Sequence, residues 1–149
     1  MKLEEEIKQK RFSNEKHKAV INLMYTGNWV YSINKSILKP YNLSTEQYNV
    51  LRILRGQYPS PSSVMLLNER MLDKMSNVSR IVEKLRVKNL LTREECPSDR
   101  RQVDITITEA GLILLEQVDQ KTQITVEAMR NISDQEAAQL NQLLDKVRG

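Results

Sequence analysis

Between Ser13 and Leu38 the apolar residues Val20, Ile21, Met24, Val30, Ile33 and Ile37 fall at helix-compatible spacing, and there is no Gly or Pro except Gly27. The pattern predicts one long helix. Pro40 closes it, because proline lacks an N–H and disfavours the helical region at Lys39. At Ser44-Thr45-Glu46-Gln47 a Ser-x-x-Gln capping box precedes Tyr48, Val50, Leu51 and Leu54, predicting a helix to about Gln57. The cluster Tyr58-Pro59-Ser60-Pro61-Ser62-Ser63 reads as a turn, with Ser62 or Ser63 capping a short helix from Val64 to about Arg70. A tight turn follows. Val78, Ile81, Val82 and Leu85 then recur at i, i+3, i+4 and i+7 within a helix predicted over about Lys74 to Lys88, which gives it one buried stripe. Ser76, Arg80 and Glu83 lie opposite that stripe, with Asn77 and Lys84 on its flank. Asn89 is placed to end the helix in the left-handed conformation.

After Asn89 the period changes from helical to alternating. Leu90 to Glu94 and Val103 to Ile107 read as two short strands joined through Pro97-Ser98-Asp99-Arg100-Arg101. A hairpin alone is marginal in water, so it must lean on the preceding helices as a wing. Thr108-Glu109-Ala110-Gly111 opens a long helix carrying Leu112, Leu115, Val118, Ile124, Met129 and Ile132. Ser133-Asp134-Gln135-Glu136 is a second capping box, ahead of Leu140, Leu143, Leu144 and Val147. The expected fold is mainly α with a small β-hairpin wing, a winged helix-turn-helix with flanking helices.

With 149 residues the chain is expected to form one domain. Its 40% hydrophobic and 28% charged content is that of a globular protein, and the low aromatic and glycine content favours helices. A single cysteine, Cys96, leaves no intramolecular disulfide, and the start Met1-Lys2-Leu3-Glu4-Glu5-Glu6 has no apolar signal core. No run approaches a membrane span, so a cytoplasmic location without membrane contact is expected.

The location of charge adds more than its size. Between Arg70 and Arg101 nine basic residues stand against five acidic ones, an excess equal to the net +4 of the whole chain. A solvated basic face would give the same count. The match with the helix–turn–helix–hairpin order favours nucleic acid, because a helix fits the major groove, where base edges present distinct donors and acceptors. Ser76, Asn77, Ser79, Arg80 and Lys84 supply hydrogen-bonding groups to that face. Arg80 suits a guanine edge or a phosphate, whereas Lys84, farther along, suits a phosphate. An ordinary surface helix is the other reading.

Four stretches together resemble one family: Leu43–Leu51, Asn77–Leu85, Asn89–Arg93, and Asp99-Arg100-Arg101 followed by Ile105–Gly111. They are similar to the MarR family, the multiple antibiotic resistance regulators. The resemblance implies one MarR-like domain over 1–149. Within it, about 43–108 form a DNA-binding lobe, and about 1–40 and 109–149 form the dimerisation helices of a triangular homodimer. It also implies a transcription regulator, most readily a repressor, on a pseudo-palindromic double-stranded operator. The recognition helix would lie in the major groove, Arg101 in the minor groove with Asp99 holding it, and Arg100 on a phosphate. A minor groove rich in A·T concentrates negative potential, and a carboxylate can orient a guanidinium. An Asp–Arg pair that only stiffens the hairpin remains the alternative. Two departures stand out: Asn89 replaces the family's usual glycine, a tolerable change because Asn also accepts positive φ, and Cys96 lies at the wing instead of near the N-terminus, which disfavours thiol-based sensing.

The resemblance further implies a small amphipathic or phenolic effector in a cleft between the dimer helices and the lobe. Tyr25 and Trp29, four apart, share a helix face and are candidates to line it with Tyr48; core packing is the plainer explanation. The apolar stripes of the terminal helices exceed what one small lobe can cover, which points to a homodimer. With His17 the only histidine, no metal-ligand cluster and no glycine-rich phosphate loop, neither a cofactor, a metal nor enzymatic activity is expected. The rival function is a winged-helix module that binds an acidic protein partner without DNA.

Overall fold

The computed structural model describes residues 2–96, 99–121 and 128–149, with backbone only for Cys96, Arg100, Arg101 and Lys121. A short helix α1 (Leu3–Glu6) precedes α2 (Glu15–Leu38), whose Asn14 cap accepts from the His17 N–H at 2.9 Å. Helix α2 has 24 residues and is about 36 Å long at 1.5 Å per residue. Only Leu38, at its end, is buried. A 3₁₀ turn over Lys39–Tyr41 follows, and Asn42, at φ 52°, reverses the chain. Helix α3 (Thr45–Gln57) begins with the expected capping box: the Ser44 hydroxyl accepts from the Gln47 N–H at 3.1 Å, and the Gln47 amide oxygen accepts from the Ser44 N–H at 3.2 Å. Ser63 caps α4 (Val64–Arg70).

Helix α5 spans Val78–Val87, shorter than the Lys74–Lys88 expected. Asp73 ends the intervening turn late: its side chain accepts from the Met75 N–H (2.9 Å) and its carbonyl from the Ser76 N–H (3.2 Å). Asn77 then caps the helix by accepting from the Arg80 N–H at 3.1 Å. These short polar side chains offer the backbone an alternative to helix that periodicity cannot register.

The hairpin pairs β1 (Leu91–Cys96) antiparallel with β2 (Asp99–Ile107), Leu91 opposite Ile107 and Glu95 opposite Val103, with an irregularity after Glu95. Ser62 adds a third, single-residue rung, exchanging both backbone bonds with Ile105 at 2.8 and 2.9 Å. That rung ties the wing to the loop before α4. Helix α6 (Glu109–Lys121) follows, and α7 (Asp134–Arg148) starts at the second capping box on Ser133. The single helix expected to carry apolar residues to Ile132 needs correction, since Ile132 lies in the turn before Ser133, its N–H bonded to the Met129 carbonyl. Ile124 lies outside the described residues.

One core holds the lobe together. Val50, Leu51 and Leu54 of α3, Leu67 of α4, Val78, Val82 and Leu85 of α5, Leu91, Ile105 and Ile107 of the hairpin, and Leu115 and Val118 of α6 are all buried. The exit of the wing is clamped onto the end of α5: Thr108 N–H donates to the Leu90 carbonyl (3.1 Å) and its hydroxyl to the Asn89 carbonyl (2.8 Å), while accepting from Gly111 N–H (3.1 Å). Asn89 has φ 57°, as expected of the residue that ends the helix. A methyl group on Gly111 would overlap the Leu90 carbonyl oxygen and meet Ile107 Cγ1 at 2.7 Å.

Gly111→Ala is therefore expected to destabilise the chain by about 1–3 kcal/mol despite alanine's better helix propensity. A urea-unfolding midpoint equal to that of the parent chain would contradict this clamp. Asn77→Ala should cost about 1 kcal/mol through the lost cap, and an unchanged midpoint would show that the cap contributes nothing.

Candidate nucleic-acid interface

The buried stripe Val78, Val82 and Leu85 turns the opposite side of α5 outward. Ser79, Arg80, Glu83 and Lys84 are exposed there. Asn77 is exposed too, but its Oδ1 is committed to the cap, leaving its amide nitrogen as a donor. Ser76 departs from expectation: it precedes the helix, is half-buried, and its hydroxyl is buried with no hydrogen-bond partner among the described residues. The late start of α5 is the cause, because a residue outside the helix does not follow its periodicity.

One acidic residue, Glu83, also stands on this outward side of α5. Glu83 accepts two bonds from Arg86, at 2.9 and 2.8 Å, in an i, i+3 pair. The Arg86 guanidinium holds its carboxyl below the usual range, with Arg93 adding a smaller effect. Lys88, near the helix end, donates to the Asn42 carbonyl and to Gln47 Oε1 (3.2 Å), anchoring α5 to the start of α3. Burial, and then the nearby Lys84, lower its pKa. Lys84 is left at the surface.

In the wing, Asp99 opens β2 opposite Cys96 and is exposed. The side chains of Arg100 and Arg101, the expected phosphate and minor-groove contacts, lie outside the described residues, as do Pro97 and Ser98.

A cleft of about 600 Å³ opens between α2, α3 and the turn after α4, lined by Tyr31, Asn34, Thr45, Glu46, Tyr48, Asn49, Arg52, Ile53 and Arg70 to Asp73. Of the three candidate effector residues only Tyr48 lines it. Its ring carries the Arg52 guanidinium at 5.7 Å, and its hydroxyl reaches Asp119 of α6 at 3.4 Å. Burial raises the Tyr48 pKa. Tyr25 instead donates to Glu6 of α1 at 2.8 Å, and Trp29 is exposed on α2. The structure does not bring these two together with Tyr48. Sequence reasoning missed Tyr31, which donates to Glu46 Oε1 at 3.0 Å, and Arg52 and Arg70. Burial pushes the Glu46 carboxyl up, but bonds from Thr45, its own backbone, Ser44 and Tyr31 outweigh it and leave the pKa lowered. Arg55 pairs with Asp119 at 2.6 Å, and Tyr41 donates to the Gln117 carbonyl at 3.2 Å, so α3 and its approach are tied to α6.

Among the described residues no group of His, Cys, Asp and Glu could hold a metal, and no helix is long and apolar enough to cross a membrane.

The family model of the MarR family matches residues 41–102, the segment that carries α3, α4, α5, β1 and the start of β2. The chain is similar to the HTH-type transcriptional regulator MhqR of Bacillus subtilis, with 28% identity over 116 residues, 77% of this chain and 78% of MhqR. It is 25% identical over 112 residues to the HTH-type transcriptional repressor IacR of Pseudomonas putida, covering 74% of this chain and 66% of that repressor. The fold superposes on a cysteine-to-serine mutant of MarR from E. coli, solved in complex with operator DNA, at a TM-score of 0.80 and 22% identity, covering 93% of this chain and 99% of that one. A hairpin tied back to the loop before α4 by Ser62, an α5 stripe buried on α3 and long helices at both ends thus make up a fold similar to that of the E. coli protein, and residues 41–102 are similar to the MarR family.

Proposed function

We propose that the chain is a homodimeric, sequence-specific transcription regulator, most simply a repressor, that binds a pseudo-palindromic double-stranded operator in the cytoplasm. The observation that carries this reading is the outward polar face of α5, set against a stripe buried on α3 and α4 and followed by a wing rich in arginine. Arg80 engages a guanine edge, Ser79 and the Asn77 amide add donors, and Lys84 binds phosphate. Arg101 enters the adjacent minor groove, steered by Asp99, and Arg100 contacts the backbone. The operator-bound E. coli relative and the repressor named among the similar proteins support the same direction.

Dimerisation follows from the exposed apolar residues of the terminal helices. Val20, Leu23 and Met24 of α2 and Leu143 and Val147 of α7 are exposed in the single chain, and apolar surface of that extent marks an interface. Residues 1–40 and 109–149 form that interface, and residues 43–108 form the lobe that meets DNA. A two-fold axis then presents two α5 helices to successive half-sites. The cleft beside Tyr48 has the size of a small-molecule site and takes an amphipathic or phenolic effector.

Three substitutions on one selected duplex test the reading. Arg80→Ala is expected to cost about 1–3 kcal/mol of specific affinity and relax base preference, whereas Lys84→Ala weakens all sequences alike and reduces the salt slope by about one. Arg101→Ala should weaken A·T-flanked sites selectively. Fluorescence anisotropy across a salt series measures all three. Binding that ignores both salt and sequence, or Arg80→Ala with its base preference intact, would favour instead the docking of an acidic protein.

A further inference from the structure

Met75 and Leu72 are 92% and 88% exposed, the barest large apolar side chains among the described residues. Both stand in the turn between α4 and α5. That turn is held firmly: Leu72 N–H donates to Asn49 Oδ1 at 2.9 Å, Met75 N–H to Asp73 Oδ1 at 2.9 Å, and Ser76 N–H to the Asp73 carbonyl at 3.2 Å. The side chains are therefore presented from fixed backbone. Leu72 lies along the cleft beside Tyr48, with Met71 and Asp73. Met75 does not line that cleft and stands two residues before the Asn77 cap, at the end of α5 that leads into the groove in helix-turn-helix proteins.

The exposed neighbours of Met75 along the chain are Leu72, which lies along the cleft, Asp73, whose carboxylate is engaged by the Met75 N–H, and the polar or cationic Lys74, Asn77, Ser79 and Arg80. On the side toward the start of α5, Met75 is an apolar tip beside cations and hydrogen-bond donors, which suits a polyanion that carries isolated methyl groups. It suits an apolar protein surface poorly. In the major groove thymine is the base whose edge ends in a methyl group, and apolar side chains read it by contact. An unbranched thioether adapts its shape to such a small target.

We infer that Met75 is a specificity-determining residue, packing on the C5-methyl of a thymine in each half-site beside the polar readout of Ser79 and Arg80. The inference rests on the DNA-binding reading above.

Replacing each thymine of a selected duplex in turn by deoxyuridine removes the methyl group and little else. Anisotropy titrations with the full chain are expected to show one thymine per half-site at which this change weakens binding about fourfold, the factor for losing one buried methyl. Met75→Ala should bind the two duplexes equally at that position. Met75→Leu and Leu72→Ala should keep the difference, and matched melting curves identify folded variants. The inference is overturned if no thymine responds, if the response survives in Met75→Ala, or if Leu72→Ala abolishes it equally. A chain that prefers no duplex over random DNA overturns this inference and the DNA-binding reading together.

Discussion

The packing of one side of α5 on α3 and α4 is the constraint from which the rest follows. Val78, Val82 and Leu85 are almost completely removed from solvent. At about 1.5–3 kcal/mol for each side chain, their burial contributes roughly 5–9 kcal/mol, an upper bound because the unfolded chain already hides some apolar surface. Rotating the helix by a third of a turn would sacrifice most of that and place Arg80 or Lys84 in an apolar core, which charged groups resist strongly. Hydrophobic burial therefore selects which polar side chains face outward. The outward polar face of α5 is the complement of the core.

Short-range polar contacts refine what the core sets coarsely. Asn77 and Asp73 decide where α5 starts, and Lys88 and Asn89 decide how it ends. Thr108 joins the far end of the hairpin to the residues just past α5, and Ser62 pins the middle of β2. The wing is thus registered against α5 by bonds on two sides, and a two-stranded hairpin that would be marginal alone becomes part of one lobe. Glu83, the acidic residue on the outward side of α5, is turned onto Arg86. Links from Tyr48 and Arg55 to Asp119 tie α3, on which α5 packs, to α6.

Much of this is legible in the chain because periodicity and capping chemistry act locally. Ser44-x-x-Gln47 and Ser133-x-x-Glu136 each announce a helix start through bonds within four residues, and both form. The 78, 81, 82, 85 stripe likewise needs only helical geometry and a core on one side. What escapes depends on contacts distant in sequence or on competing local bonds. The Ser62–Ile105 rung spans more than forty residues, and no feature of Ser62 marks it as a strand. Asp73 winds the turn that delays α5, so Ser76 leaves the helical face on which its spacing puts it. Tyr31 and Arg52 meet at the cleft only because α2 crosses α3, whereas Tyr25 and Trp29, for all their shared helix face, are drawn to Glu6 or left exposed.

Selection of duplexes from a random pool by the full chain tests most directly whether the outward face of α5 reads sequence, and does so twice. The account predicts enrichment of a pseudo-palindrome whose half-site centres lie about one helical turn, roughly 34 Å, apart. A pool that emerges unenriched, or that yields a single half-site without its inverted copy, would contradict it.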